Sequence, residues 1–146
     1  MSASFKIPIP KIDPKGLYLL LTSTDQIDKH HWALLLATST AAGIRFHLVH
    51  DDSSCHLAIE PLDLSDNPRF LTALKLGTVD GTSEEWVDRM KECVSSLTAT
   101  AESSCRSWAL AALYELASEG FIGMIAEWGL IRHIELEAKC LAREAG

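Results

Sequence analysis

The sequence has no apolar run approaching the roughly 20 residues that a membrane-spanning helix needs. Its longest such runs, residues 17–21 and 32–37, have the length of strands. Concentrated positive charge is also missing. Lys and Arg number 13 against 20 Asp and Glu, the formal net charge is −7, and the cations are scattered singly. A phosphate backbone calls for a clustered basic surface, so nucleic acid is not an expected partner, and neither is an anionic membrane. The four cysteines, Cys55, Cys93, Cys105 and Cys140, form no Cys-x-x-Cys. The six histidines (His30, His31, His47, His50, His56 and His133) match no zinc spacing either, so no metal is expected, and the thiol chemistry considered below needs no organic cofactor. The opening Met1-Ser2-Ala3-Ser4-Phe5-Lys6-Ile7-Pro8 lacks the charged and then apolar segments of a cleaved signal. Without a secretory signal the cysteines read as reduced thiols, and a cytoplasmic location is expected.

What is present is ordinary for a globular chain: 47% hydrophobic and 23% charged residues over 146 positions, enough for one domain with a real core. Three of the five prolines, Pro8, Pro10 and Pro14, fall with Gly16 in residues 1–16, which predicts an extended lead-in ahead of a single domain over 17–146. β-rich runs bounded by polar turns follow at 17–23, 31–38, 44–50, 56–61 and 70–79. Small residues at 38–43 predict a hairpin loop, and Asp51-Asp52-Ser53-Ser54 predicts the next turn.

After Val79 the period changes. Thr82-Ser83-Glu84-Glu85 has the form of a capping box, with Trp86, Met90, Val94 and Leu97 following at helical spacing. A second helix is expected over 104–118, ending at Gly120, and a third over 124–142. Strands first and helices afterwards predict an α+β fold: an antiparallel sheet of about five strands with three helices packed on one face.

Cys105 stands at the expected start of the second helix, with Ser103 or Ser104 available as N-cap. A thiol is a strong nucleophile only as the thiolate, which the free N–H groups at a helix start favour and which a neighbouring imidazole can generate. The competing reading is that Cys105, Trp108, Ala109, Ala112, Leu113 and Leu116 form one apolar stripe in which the cysteine merely packs. The other three cysteines fall mid-helix or in a turn.

In a strand over 31–38, His31 shares a face with Ala33 and Leu35, while His30 shares the other with Trp32 and Leu34. Only one of the adjacent histidines can point at the helices, and His31 is the candidate base. His47, on the next strand, is placed to hydrogen-bond and orient it, with His50 as competitor on the opposite face. Trp32, Arg106 and Trp108 flank these positions and are the candidate substrate contacts. The bland readings are core packing for the indoles and a solvated surface for the arginine.

The run His31-Trp32-Ala33-Leu34-Leu35-Leu36, the later Phe46-His47-Leu48 and the helix-opening Cys105 resemble the histidine and cysteine boxes of circularly permuted papain-like proteins. That superfamily includes the lecithin:retinol acyltransferase group, PPPDE peptidases and relatives of the NlpC peptidases, and in its permuted members histidine precedes cysteine, as here. More closely, His31-Trp32 with Ser104-Cys105-Arg106-Ser107-Trp108 and Glu119-Gly120-Phe121-Ile122 is similar to an uncharacterised family of small fungal proteins. Ser104 stands where the acyltransferases typically carry asparagine. The resemblance implies a permuted papain-like fold and a cysteine-dependent hydrolase or acyltransferase. Its substrate would be a small-molecule or peptide amide, ester or thioester, with Cys105 the nucleophile, His31 the base and His47 its orienter. The alternative from another class is a non-covalent small-molecule-binding or cyclase-like protein of fungal secondary metabolism, on the same fold and without thiol catalysis.

Overall fold

The computed structural model describes residues 12–24, 30–50, 55–64, 70–97 and 104–145. Five strands come first: β1 (Gly16–Ser23), β2 (His30–Ala37), β3 (Ala42–His50), β4 (Cys55–Asp63) and β5 (Phe70–Thr78). Three helices follow: α1 (Glu84–Ser95), α2 (Cys105–Ser118) and α3 (Trp128–Ala145). The strands form one sheet in the order β4-β3-β2-β1-β5, with every neighbouring pair antiparallel. The fold is α+β, as the strand-then-helix order predicts. The expected turn at Asp51–Ser54, the first eleven residues of the expected lead-in and the alternative cap Ser103 lie outside the described residues.

β1 and β2 are apolar at nearly every position because both faces of the sheet are covered, which removes the polar alternation of a half-exposed strand. Towards the helices, Leu17, Leu19 and Leu21 of β1 stand with Trp32, Leu34 and Leu36 of β2 and Phe46 and Leu48 of β3. They pack against Met90 and Val94 of α1, Trp108, Ala109, Leu113 and Leu116 of α2, and Ile131 and Ala138 of α3. On the reverse face Tyr18, Leu20, Ala33, Leu35 and Ala37 form a second, smaller core with Ile12, Leu64 and Ala73. Sequence reasoning placed the helices on one face correctly but did not anticipate this second core. α2 lies against β2 and β3, α3 against β5 and β1, and α1 against α2.

The helix boundaries show local chemistry deciding position. The cap of α1 is Ser83, whose hydroxyl accepts from the Trp86 N–H at 3.2 Å, so the helix starts one residue later than a box led by Thr82 requires. Glu84 and Glu85 then fall in the first turn, where the helix dipole favours negative charge. α2 ends at Gly120, which adopts φ +82°, with Gly120 N–H donating to the Ala117 carbonyl at 3.1 Å and Phe121 N–H to the Leu116 carbonyl at 2.9 Å. That pair of bonds is the Schellman arrangement, and the left-handed residue in it favours glycine.

The third helix begins at Trp128, four residues after the expected Met124. The intervening segment buries Ile122 against β5, where Gly77 leaves room: a Cβ at Gly77 would lie 3.2 Å from the Ile122 Cβ. That contact joins β5 to the connection between α2 and α3, an interaction between distant segments that helical spacing cannot register.

Candidate active site

Ser104 caps α2 from an extended conformation (φ −90°, ψ 155°), its hydroxyl accepting from the Ser107 N–H at 3.0 Å. The Ser107 hydroxyl accepts in return from the Ser104 N–H at 3.2 Å, a capping box with serine in the place usually held by glutamate. Cys105 is therefore the first helical residue, as expected, and the N–H groups of Cys105 and Arg106 lie outside the intrahelical ladder. The half-buried thiol packs against the helix-side core and donates to the backbone carbonyl of His30, Sγ to O 3.9 Å.

The two candidate histidines meet. His31 Nε2 and His47 Nδ1 are 2.9 Å apart, with ring centroids 5.1 Å apart and planes at 88°. His47 is thus the hydrogen-bond partner of His31, while the exposed His50 at the strand end acts on that ring through charge. The chain of contacts continues beyond the histidines: His47 Nε2 lies 2.9 Å from Glu60 Oε1, and the guanidinium of Arg45 pairs with the same carboxylate oxygen. Arg45 and Glu60 face each other in the β3–β4 register, two positions from His47↔Ala58 and therefore on the same face. All four side chains share the reverse face with Leu35, while Phe46, Leu48, Leu57 and Ile59 between them face the helices.

Electrostatics follow from this packing. Burial, then the neighbouring His47, Arg45 and His50, pushes His31 down to about 4, with only Glu60 opposing. Burial and Arg45 lower His47 as well, again against Glu60. The Arg45 hydrogen bond holds Glu60 below the usual carboxylate range. At neutral pH the site is therefore two neutral imidazoles ending on an ionised carboxylate.

The expected direct hydrogen bond between the Cys105 thiol and the His31 imidazole is not made. Strand alternation is the reason: Trp32, Leu34 and Leu36 point towards α2, so His31 follows Ala33 and Leu35 to the other face. The cysteine instead meets the β2 backbone one residue before His31. At this end the sheet is open. The β2–β3 ladder stops at Leu34↔Phe46, although β2 stays paired to β1 back to His30 and β3 stays paired to β4 out to His50. The His31–His47 contact spans that parting of the strands.

The expected substrate contacts are placed differently from the expectation. Trp32 and Trp108 are 3% and 5% exposed and belong to the helix-side core, where they pack and offer no face to a ligand. Their helical and strand spacing with leucines carries that outcome. Arg106 is exposed but engaged, its guanidinium 3.4 Å from Glu135 of α3, which also holds Lys139 at 3.2 Å. None of the four cysteines forms a disulfide with another described residue, and burial beside Glu119 and Glu115 pushes Cys93 up to about 11. Among the described residues no three His, Cys, Asp or Glu side chains converge in a way that would hold a metal ion.

Sequence reasoning missed Arg45 and Glu60. The legible signal was Arg45 and His47 two apart on one strand face, with Glu60 on the next strand. Assigning Glu60 to them requires the β3–β4 register, which no motif records.

Residues 17–123 match the model of a family described as "Family of unknown function (DUF6540)". No curated protein and no solved structure matches the chain.

Proposed function

The chain belongs to that family of unknown function, DUF6540, and we propose that it is a cysteine-dependent hydrolase or acyltransferase of permuted papain-like architecture. The observation that carries this reading is the placement of a thiol on the first residue of a helix, against the backbone of the residue preceding an imidazole whose other nitrogen is anchored. In the reaction the thiol leaves the His30 carbonyl for the free nitrogen of His31, at the open end of the β2–β3 ladder. The S–H proton passes to His31 as the sulfur–carbon bond forms on an amide, ester or thioester carbonyl. N–H groups at the start of α2 stabilise the oxyanion, and collapse expels the leaving group with the proton from His31. Water or another nucleophile, deprotonated by His31, then releases the acyl group and restores the thiol. A catalytic thiol requires a reducing setting, of which the cytoplasm is the ordinary one.

The test is acyl capture. Incubation with p-nitrophenyl acetate is expected to give a burst of nitrophenolate and an acetyl group on Cys105 by peptide mass mapping, both lost in Cys105→Ser. Acetylation spread over surface lysines, unchanged in Cys105→Ser, would refute the reading. A non-covalent binding module is the second reading, favoured by the absence of a thiol–imidazole hydrogen bond; it expects no acyl-enzyme and an unreactive Cys105.

A further inference from the structure

Arg45, Glu60, His47 and His31 are joined end to end across β4, β3 and β2, and the chemistry of each end fixes the direction of every bond. The ionised carboxylate of Glu60 can only accept, so His47 Nε2 carries the proton that it donates. A neutral imidazole has one N–H, so His47 Nδ1 is then an acceptor. The atom facing it, His31 Nε2, must donate. His31 has no second proton, and its Nδ1 is left as the basic nitrogen. The sequence of bonds thus converts a carboxylate on the outermost strand into a choice of atom on β2.

We propose that Glu60 is a positioning residue of this site: by fixing the tautomer of His47, and through it that of His31, it makes His31 Nδ1 the atom that takes the Cys105 proton. The inference rests on the thiol reading above and deepens it. Without an acceptor at position 60, His47 is free to carry its proton on Nδ1, which turns a donor towards His31 Nε2 and reverses the polarity of the pair. Glu60 has a second effect once His31 is protonated. Both rings are largely withdrawn from water beside the Arg45 cation, and the Glu60 carboxylate is the charge that favours the imidazolium.

The experiment is long-range proton–nitrogen NMR of the full chain labelled with nitrogen-15 histidine, near neutral pH. In the wild type both His31 and His47 are expected as the Nε2–H tautomer. Glu60→Gln keeps an oxygen acceptor and is expected to preserve both. Arg45→Met with Glu60→Leu removes the acceptor without stranding a guanidinium, and is expected to show both rings as tautomer mixtures within a dispersed, folded amide spectrum. Should that double variant not fold, Glu60→Met alone takes its place. The proposal is overturned by an Nδ1–H tautomer on either ring of the wild type, or by unchanged tautomers in the folded acceptor-free variant. Failure of the thiol reading is seen separately, as an absent acyl-enzyme on Cys105 with the ring tautomers as stated.

Discussion

His31 and His47 hold each other edge to face, Nε2 to Nδ1 at 2.9 Å, on the sheet face that the helices do not cover. Neither ring is held by its own strand alone. The contact joins two strands beyond the end of their backbone ladder, and it anchors the imidazole of the residue that follows His30, the thiol's backbone partner.

That contact makes the protein acid-sensitive in a defined window. In the unfolded chain His31 takes up a proton near 6.5, whereas in the fold burial and the facing His47, Arg45 and His50 delay uptake to about 4, with Glu60 opposing. The unfolded state therefore binds more protons between those values. Stability is full above about 6.5 and falls as pH drops towards 4. Urea midpoints measured across this range are expected to decline on acidification, and less so in His31→Asn. A flat profile in the wild type would contradict the neutral, buried pair.

Arg45 supplies part of the charge that keeps both rings neutral. Arg45→Met is expected to raise His31 and His47 towards their ordinary value and to let Glu60 rise too, since its strongest hydrogen bond is gone. NMR titration of the two histidine rings and of the Glu60 side-chain carboxyl reads all three directions, and groups that titrate as in the wild type would contradict the arrangement.

Cys93 is an internal control for thiol chemistry. Burial and two glutamates push it up to about 11, so it is expected to be the slow site when the folded protein is treated with iodoacetamide near neutral pH. Peptide mapping against time gives the order; Cys93 labelling ahead of Cys105 would contradict it.

Two substitutions test the scaffold beneath the site. Trp108→Ala empties the core position directly above the first turn of α2 and is expected to cost about 3–5 kcal/mol. Gly120→Ala forces a Cβ into a left-handed conformation at φ +82° and is expected to cost about 1–2 kcal/mol. Denaturant unfolding measures both, and a neutral Gly120→Ala would show that the cap relaxes without cost.

The fold was legible where local chemistry decides it. Gly120 ended α2, the serine-rich run capped it, and the apolar runs at 17–21 and 32–37 became neighbouring strands. The meeting of His31 with His47 followed from adjacent strands with matching alternation. Three things were not legible because they depend on residues far apart in the chain. Ile122 docked on Gly77 in the connection ahead of α3, Glu60 joined the histidines through the β3–β4 register, and a second core packed the face that His31 shares with Ala33 and Leu35. Alternation did carry part of the last point, since Trp32 and Leu34 were bound to face the helices and His31 lies between them and His30.

The most direct measurement is the alkylation rate of Cys105 near neutral pH in the wild type and in His31→Ala, read by peptide mass mapping. If His31 serves this thiol as base, the wild type reacts at least about a hundredfold faster than the variant, the low end of what a positioned proton acceptor contributes. Equal rates in the two proteins, with Cys105 no faster than an ordinary exposed thiol such as Cys140, would contradict the account.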